Sequence, residues 1–197
     1  MTNSTTAIII LAAGSSSRLG LPKQLLQLHD KSLLRHSVEV ALAAQAAEAV
    51  VILGFEADRM RHEIDDLTLR IVVNPTWQEG IASSIREGIS SLPLTIDAAL
   101  LSLCDQPFVT SELLGQLIAV CSEPQNLIAA AEYNNTVGVP ACFSRSLFPE
   151  LLELRGDAGA KRIIELHRQR TVAVPFPQAS IDIDTLEDYR KHLGPRR

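Results

Sequence analysis

The segment Leu11-Ala-Ala-Gly-Ser-Ser-Ser-Arg-Leu-Gly20, continued by Leu-Pro-Lys-Gln24, gathers small residues, hydroxyls and two cations directly after an apolar run. Gly14 permits positive φ and close approach by a ligand. Ser15, Ser16 and Ser17 add hydroxyls and N–H groups, and Arg18 and Lys23 add positive charge. Donors and cations in this arrangement suit the oxygens of a triphosphate. An ordinary glycine-serine turn with two exposed bases fits the same spacing. Two familiar phosphate loops do not. A Walker loop needs G-x-x-x-x-G-K-[ST], yet five residues separate Gly14 from Gly20 and Leu21 follows, and the dinucleotide fingerprint G-x-G-x-x-G fails at Ser16.

Carboxylates come next. Asp105, in Leu103-Cys-Asp-Gln-Pro107, stands just beyond an apolar run, where desolvation costs several kcal/mol unless the group is paired or bound to metal. A turn aspartate before Pro107 is the plainer alternative. Asp182 and Asp184, in Ser180-Ile-Asp-Ile-Asp-Thr185, would share a face if this stretch were a strand. Equally, Asp184 or Thr185 is placed to cap a following helix, with Thr185 and Asp188 approximating a capping box. The five histidines, His29, His36, His62, His167 and His192, fall mostly in polar helical surroundings and read as surface groups. No Ser-His-Asp or Cys-His arrangement is evident.

Elements that would position these groups alternate along the chain. Apolar strands are predicted at Ala7 to Ala13, Ala49 to Leu53, Arg70 to Val73, Asp97 to Leu103 and Leu127 to Ala131. An extended stretch follows at Thr136 to Phe143, with short strands at Thr171 to Val174 and Ser180 to Ile183. Helical spacing marks Leu33 to Leu42, Gly80 to Leu92, a helix capped by Thr110 or Ser111 through about Val120, Ser144 to Leu154, Asp157 to His167 and Leu186 to Leu193. The pattern predicts an α/β fold: a doubly wound, mostly parallel sheet with helices on both faces. Ligands in such sheets bind outside the carboxyl ends of the strands, where every candidate group above falls. Gly156-Asp-Ala-Gly-Ala-Lys161 would add a glycine turn and a helix N-terminus open to an anion.

With 197 residues, the expectation is a single domain. A core of Ala, Leu, Ile and Val is expected, since 46% of residues are hydrophobic but only 4% aromatic. A net charge of −5 disfavours nucleic acid or an anionic membrane as partner. No apolar run reaches the roughly 20 residues of a membrane span. The first six residues lack a basic signal-like start. Cys104, Cys121 and Cys142 have no metal-ligand spacing. A reducing cytoplasm is the expected location.

The loop Leu11–Lys23 resembles the signature of the nucleotidyltransferase family that includes the molybdenum cofactor guanylyl- and cytidylyltransferases. LCDQPFV, GVPACF, GDAGAKRI and DIDTLEDY follow in the order seen in the cytidylyl branch. The resemblance implies a nucleotide-diphospho-sugar transferase-like, Rossmann-like fold. It implies a nucleotide-binding half over about 7–109, an acceptor-binding half over about 110–193, and Mg²⁺-dependent transfer of CMP from CTP to the phosphate of molybdopterin (molybdenum cofactor). By this resemblance Arg18, Lys23 and Asp105 are catalytic, and Asp105 with Asp184, or alternatively Asp182, holds the metal. Nucleotide contacts would come from Leu11, Ala12, Ala13, Gly14, Ser15, Arg18, Lys23, Asn74, Gly80, Ser83 and Ser84. Ala13 matches the cytidine enzymes where guanosine enzymes tend to carry glycine. Acceptor contacts would come from Gln106, Pro107, Gly138, Pro140, Gly156, Asp157, Gly159 and Lys161. Lys161 departs from an arginine frequent in the family and gives up its bidentate fork. A transient contact with a molybdoenzyme client is part of the same expectation. The alternatives are a sister enzyme using GTP, a sugar phosphate or another phosphorylated acceptor, or a cofactor-binding chaperone without catalysis.

Overall fold

The computed structural model describes residues 5–16 and 19–193. Strand β1 (Thr6–Leu11) is buried along its whole length. Its side chains alternate between two cores: Ile8 and Ile10 face one helical layer, Ile9 and Leu11 the other. A strand covered on both faces reads as an unbroken apolar run. A two-residue hairpin, β2 (Gln27–Leu28) and β3 (Lys31–Ser32), leads into α1 (Leu33–Ala43). Then follow β4 (Glu48–Leu53), α2 (Ala57–His62), β5 (Arg70–Val73), α3 (Ile81–Ser90), β6 (Ala98–Leu103) and α4 (Ser111–Cys121). The remaining elements are β7 (Ile128–Tyr133), β8 (Thr136–Ser144), α5 (Phe148–Leu152), α6 (Lys161–Leu166), β9 (Thr171–Pro175) and α7 (Leu186–His192).

Seven strands form one sheet in the order β5-β4-β1-β6-β8-β7-β9. β5, β4, β1 and β6 are mutually parallel, and β7 and β9 pair in parallel, while β8 runs antiparallel to both of its neighbours. Helices cover both faces, as the sequence pattern requires. Because β5, β4, β1 and β6 run parallel, their carboxyl ends fall at one edge, and the loops there build the site.

Three expectations need correction. Ser180 to Ile183 is no strand. A 3₁₀ turn occupies Pro177–Ser180, and Ile183 spends its N–H on the Asp105 carbonyl at 3.0 Å instead of on a ladder. Asp157 does not start a helix either. Gly156 takes a left-handed φ of +60° and Ala158 N–H closes a turn on Arg155 O, so α6 begins only at Lys161 and offers no helix N-terminus at Asp157. Between Ser144 and Leu154 a 3₁₀ turn (Arg145–Leu147) precedes the short α5. The hairpin β2–β3 and helix α2 were not anticipated.

Packing of α3 on the sheet depends on a missing side chain. A Cβ on Gly88 would lie 2.8 Å from Ile9 Cγ2 and 3.2 Å from Ile9 Cδ1, inside the buried core. Gly88→Ala gains about 1 kcal/mol of helix propensity, but overpacking a filled core costs about 1–3 kcal/mol. The steric cost wins because Ile9 is enclosed by the central strands and has nowhere to move. The expected outcome is a midpoint lower by roughly 2–6 °C in thermal unfolding followed by circular dichroism. A raised midpoint would mean that α3 lifts off the sheet freely.

Candidate active site

At the carboxyl edge of β1, β4 and β6 lies a cavity of about 500 Å³. The loop Leu11–Ser15 forms one wall, Trp77, Gln78, Gly80, Ile81 and Ser84 a second, and Cys104, Asp105, Lys23, Gln24 and Asp157 much of the rest. Lys23 sits in a 3₁₀ turn (Lys23–Leu25) after Pro22, and its backbone N–H donates to Ser16 Oγ at 3.1 Å. Its ammonium joins two carboxylates, pairing with Asp105 Oδ2 and reaching Asp184 Oδ1 at 3.0 Å.

Each carboxylate is held by a different part of the fold. Asp105 follows β6 directly, and its loop is tied to α1 on the other side. Ser37 Oγ donates to Cys104 O at 3.3 Å, and His36 Nε2 lies 3.0 Å from Pro107 O. His36 is therefore half-buried in a structural bond rather than a surface group, and burial holds its pKa below the usual imidazole range. Asp184 is delivered by the C-terminal segment. Ile183 packs with Leu28 and Leu33 in a small separate core, and Tyr189 donates to Gln27 O at 3.0 Å. Thr185 caps α7 with a full capping box involving Asp188, so Asp184 stands one residue outside the helix with its carboxylate turned to Lys23.

Charge in this corner is concentrated. Burial alone would lower the Lys23 pKa, but Asp105, Cys104 and Asp184 outweigh it and hold the ammonium above the ordinary lysine range. Asp182 is pushed up to about 6 by burial and then by the negative charges of Asp105 and Asp184. Burial pushes the Cys104 thiol up to about 12, which makes it inert as a nucleophile. Asp105 Oδ1 is buried and has no hydrogen-bond partner among the described residues. Among the described residues no group of three or more His, Cys, Asp and Glu side chains is gathered to hold a metal ion. A hard divalent cation here would rest on the orphaned Asp105 oxygen and at most one further carboxylate, with nucleotide phosphates and water completing its shell.

Of the expected nucleotide residues, Leu11, Ala12, Ala13, Gly14, Ser15, Lys23, Gly80 and Ser84 border the cavity. Arg18 lies outside the described residues. Asn74 and Ser83 are not on the wall. Asn74 is fully buried and its Nδ2 donates to Ser83 Oγ at 2.8 Å and Ser84 Oγ at 3.0 Å, clamping the start of α3 beneath the site. Among the expected acceptor residues, Asp157 borders the cavity through the turn opened by Gly156, and Gly159 faces Ile81. Gln106 is buried and donates to Ala179 O at 2.9 Å and Val139 O at 3.3 Å. Gly138 lies under the Tyr133 hydroxyl, and Pro140 follows a cis peptide. Lys161 is exposed and away from the wall. The expectation missed Trp77, Gln78 and the role of Gln24. The available signals were a lone tryptophan in an aromatic-poor chain and a glutamine closing the loop stretch.

Gly80 caps α3 with φ of +106°, and a Cβ there would sit 2.5 Å from the Gly156 carbonyl and against the Asp157 carboxylate. Gly80→Ala is expected to part these two segments and raise the KM for nucleotide tenfold or more in a pyrophosphate-release assay. An unchanged KM would show that the Gly80–Asp157 wall takes no part in nucleotide binding.

Nicotine blue oxidoreductase from Paenarthrobacter nicotinovorans is 30% identical, covering 94% of this chain and 95% of its own. A probable molybdenum cofactor guanylyltransferase from Trichormus variabilis is 28% identical over 94% of this chain and 89% of its own. The structure of Rv0371c from Mycobacterium tuberculosis H37Rv in complex with manganese superposes with a TM-score of 0.81 at 31% identity, covering 98% of this chain and all of that one. The sheet, its parallel-edge site and the match of residues 8–172 to the family's domain place the chain in the MobA-like NTP transferase family.

Proposed function

We propose that the chain transfers CMP from CTP to the phosphate of molybdopterin, or molybdenum cofactor, and releases pyrophosphate. The observation that carries this reading is the Lys23–Asp105 pair on the cavity wall beside the Ala12–Ser15 loop, with Asp184 bonded to the same ammonium. The reaction joins an acceptor phosphate oxygen to the α-phosphorus and breaks the bond from the α-phosphorus to the oxygen of the β-phosphate, whose electron pair leaves with pyrophosphate. An acceptor phosphate is already anionic near neutral pH, so no general base is required. The protein's task is to align two anions and neutralise the charge between them.

In this reading Lys23 neutralises phosphate oxygens, and Arg18 joins it from the same loop. Ala12 to Ser15 supply backbone donors, Gly80 and Ser84 border the base and ribose, and Ala13 favours cytidine. Asp105 and Asp184 would hold Mg²⁺, with Asp182 as the alternative to Asp184. When bound, the ion polarises the α-phosphate and stabilises the leaving pyrophosphate. The manganese complex of the mycobacterial relative supports a divalent cation in this fold. The parallel strands β1, β4, β5 and β6 make the nucleotide half, about 7–109, and residues 110–193 the acceptor half, with Gln106, Pro107, Gly138, Pro140, Gly156, Asp157 and Gly159 between them. Lys161 enters only if the acceptor extends over the surface. Product hand-over to a molybdoenzyme client belongs to the same proposal.

Pyrophosphate release tests it, with CTP, GTP, ATP and UTP each offered with and without molybdenum cofactor, in Mg²⁺ or Mn²⁺. Cofactor-dependent release with CTP is the expected result. Release with GTP would move the chain toward the activity named for the Trichormus relative. No release with any nucleotide would sink transfer to molybdopterin and point to another phosphorylated acceptor or to cofactor binding without catalysis. Oxidoreductase activity would then be tested because of the Paenarthrobacter relative. Among the described residues no helix is long and apolar enough to cross a membrane.

A further inference from the structure

Gln24 is a polar side chain that neither the loop motif nor the transfer reaction uses, yet it is only 1% exposed. Its Nε2 donates to two carbonyls of the loop, Ala12 O at 2.9 Å and Gly14 O at 2.7 Å, and its Oε1 is 3.4 Å from Ser16 Oγ. Both donor positions of one amide are thus spent on alternate peptides of a single loop. A trans peptide is planar, with its N–H opposite its C=O. Tying the Ala12 and Gly14 carbonyls to Gln24 therefore turns the N–H groups of Ala13 and Ser15 the other way. Those two N–H groups donate to nothing among the described residues, and both residues border the cavity. Meanwhile the Ala13 carbonyl is occupied by Phe55 N–H at 3.0 Å, so the intervening peptide cannot rotate to undo the arrangement.

We infer that Gln24 is a positioning residue whose amide fixes the Ala12–Ser15 loop so that the Ala13 and Ser15 N–H groups form a pre-set cradle for phosphate oxygens. Two N–H groups of alternate peptides turned to the same side can donate to one anion's oxygens. Paying the ordering of such a loop before the ligand arrives raises affinity. A neutral amide suits the task, because it holds two carbonyls without putting a charge beside the triphosphate. Without the amide, the two peptides rotate to solvate their carbonyls in the open cavity. The fold then loses little, and the donors lose their aim.

The inference rests on the nucleotide reading above, and calorimetric titration separates the two. Wild type and Gln24→Met, which keeps the side-chain length but not the donor, are titrated with CTP, GTP, cytidine and guanosine in Mg²⁺. Whichever triphosphate the wild type binds should bind Gln24→Met tenfold or more weakly. The matching nucleoside should change less than twofold, with an unfolding midpoint within a few degrees of wild type. Triphosphate affinity that is retained, or lost in step with nucleoside affinity, overturns the positioning role while leaving the nucleotide reading intact. A wild type that binds neither triphosphate overturns both. Should Gln24→Met not fold, amide exchange in the wild type decides. Addition of the bound triphosphate should slow exchange at Ala13 and Ser15, and unchanged exchange at both overturns the inference.

Discussion

Asp105→Asn is expected to leave a folded protein that releases pyrophosphate at least roughly 10³-fold more slowly than wild type, the scale of losing a metal and electrostatic anchor in a phosphoryl-transfer site. The reason lies in what each oxygen of Asp105 does. Oδ2 pairs with the Lys23 ammonium, and Oδ1 is buried with no partner among the described residues. Asparagine keeps the shape and the backbone carbonyl that receives Ile183 N–H. It removes the charge, however, and offers a weaker oxygen or a repelling NH₂ group to any cation. Stability should fall only modestly, because Lys23 keeps its bond to Asp184 when the Asp105 charge is lost. The variant is compared with wild type by thermal unfolding and by steady-state release in both Mg²⁺ and Mn²⁺. Near-normal rates in a folded variant would remove Asp105 from the reaction. A collapse of the unfolding midpoint would recast it as a structural ion-pair partner.

What could be read from the chain was whatever leaves a local mark. The unbroken run of β1 announces a strand covered on both faces, and Thr185 with Asp188 announces the start of α7. Asp105 was marked by being a charge at the end of an apolar strand. Hidden features depend on distance in sequence. Lys23 and Asp184 are 161 positions apart, and they are brought together by the small core of Leu28, Leu33 and Ile183 and by the bonds of Ile183 to Asp105 and of Tyr189 to Gln27. The hairpin feeding that core has two-residue strands, too short for any period to show. In Ser180 to Ile183 the alternation of Ile and Asp is genuine, but its cause is one buried isoleucine and one bond to Asp105 O, not a sheet. His36 misled for the same reason. A polar helix face says nothing about the loop that a neighbouring strand presses onto it.

Lys23→Met carries the second large expectation: a fall in kcat/KM of about 10²-fold or more, the range for deleting one electrostatic contact to developing charge. The ammonium is held by Asp105 and Asp184, and its pKa lies above the ordinary lysine range. It therefore stays cationic across the whole working pH range. Activity should show no loss from lysine deprotonation as pH rises from 7 to 9, and a decline in that window in wild type would have to come from another group. Methionine preserves the aliphatic stem that fills the space between the loop and β6, so the defect is one of charge. Without the ammonium, Asp105 and Asp184 lose the cation between them, which favours binding of a divalent cation while the triphosphate loses a counter-charge. The two effects have opposite signs and separate cleanly by titration: Mn²⁺ affinity of the nucleotide-free variant should hold or rise, while affinity for the metal–nucleotide complex falls. If both fall together, Lys23 organises the carboxylates and has no direct part in handling phosphate. An unchanged kcat/KM would exclude Lys23 from the mechanism and leave the charge neutralisation of transfer to the metal and Arg18.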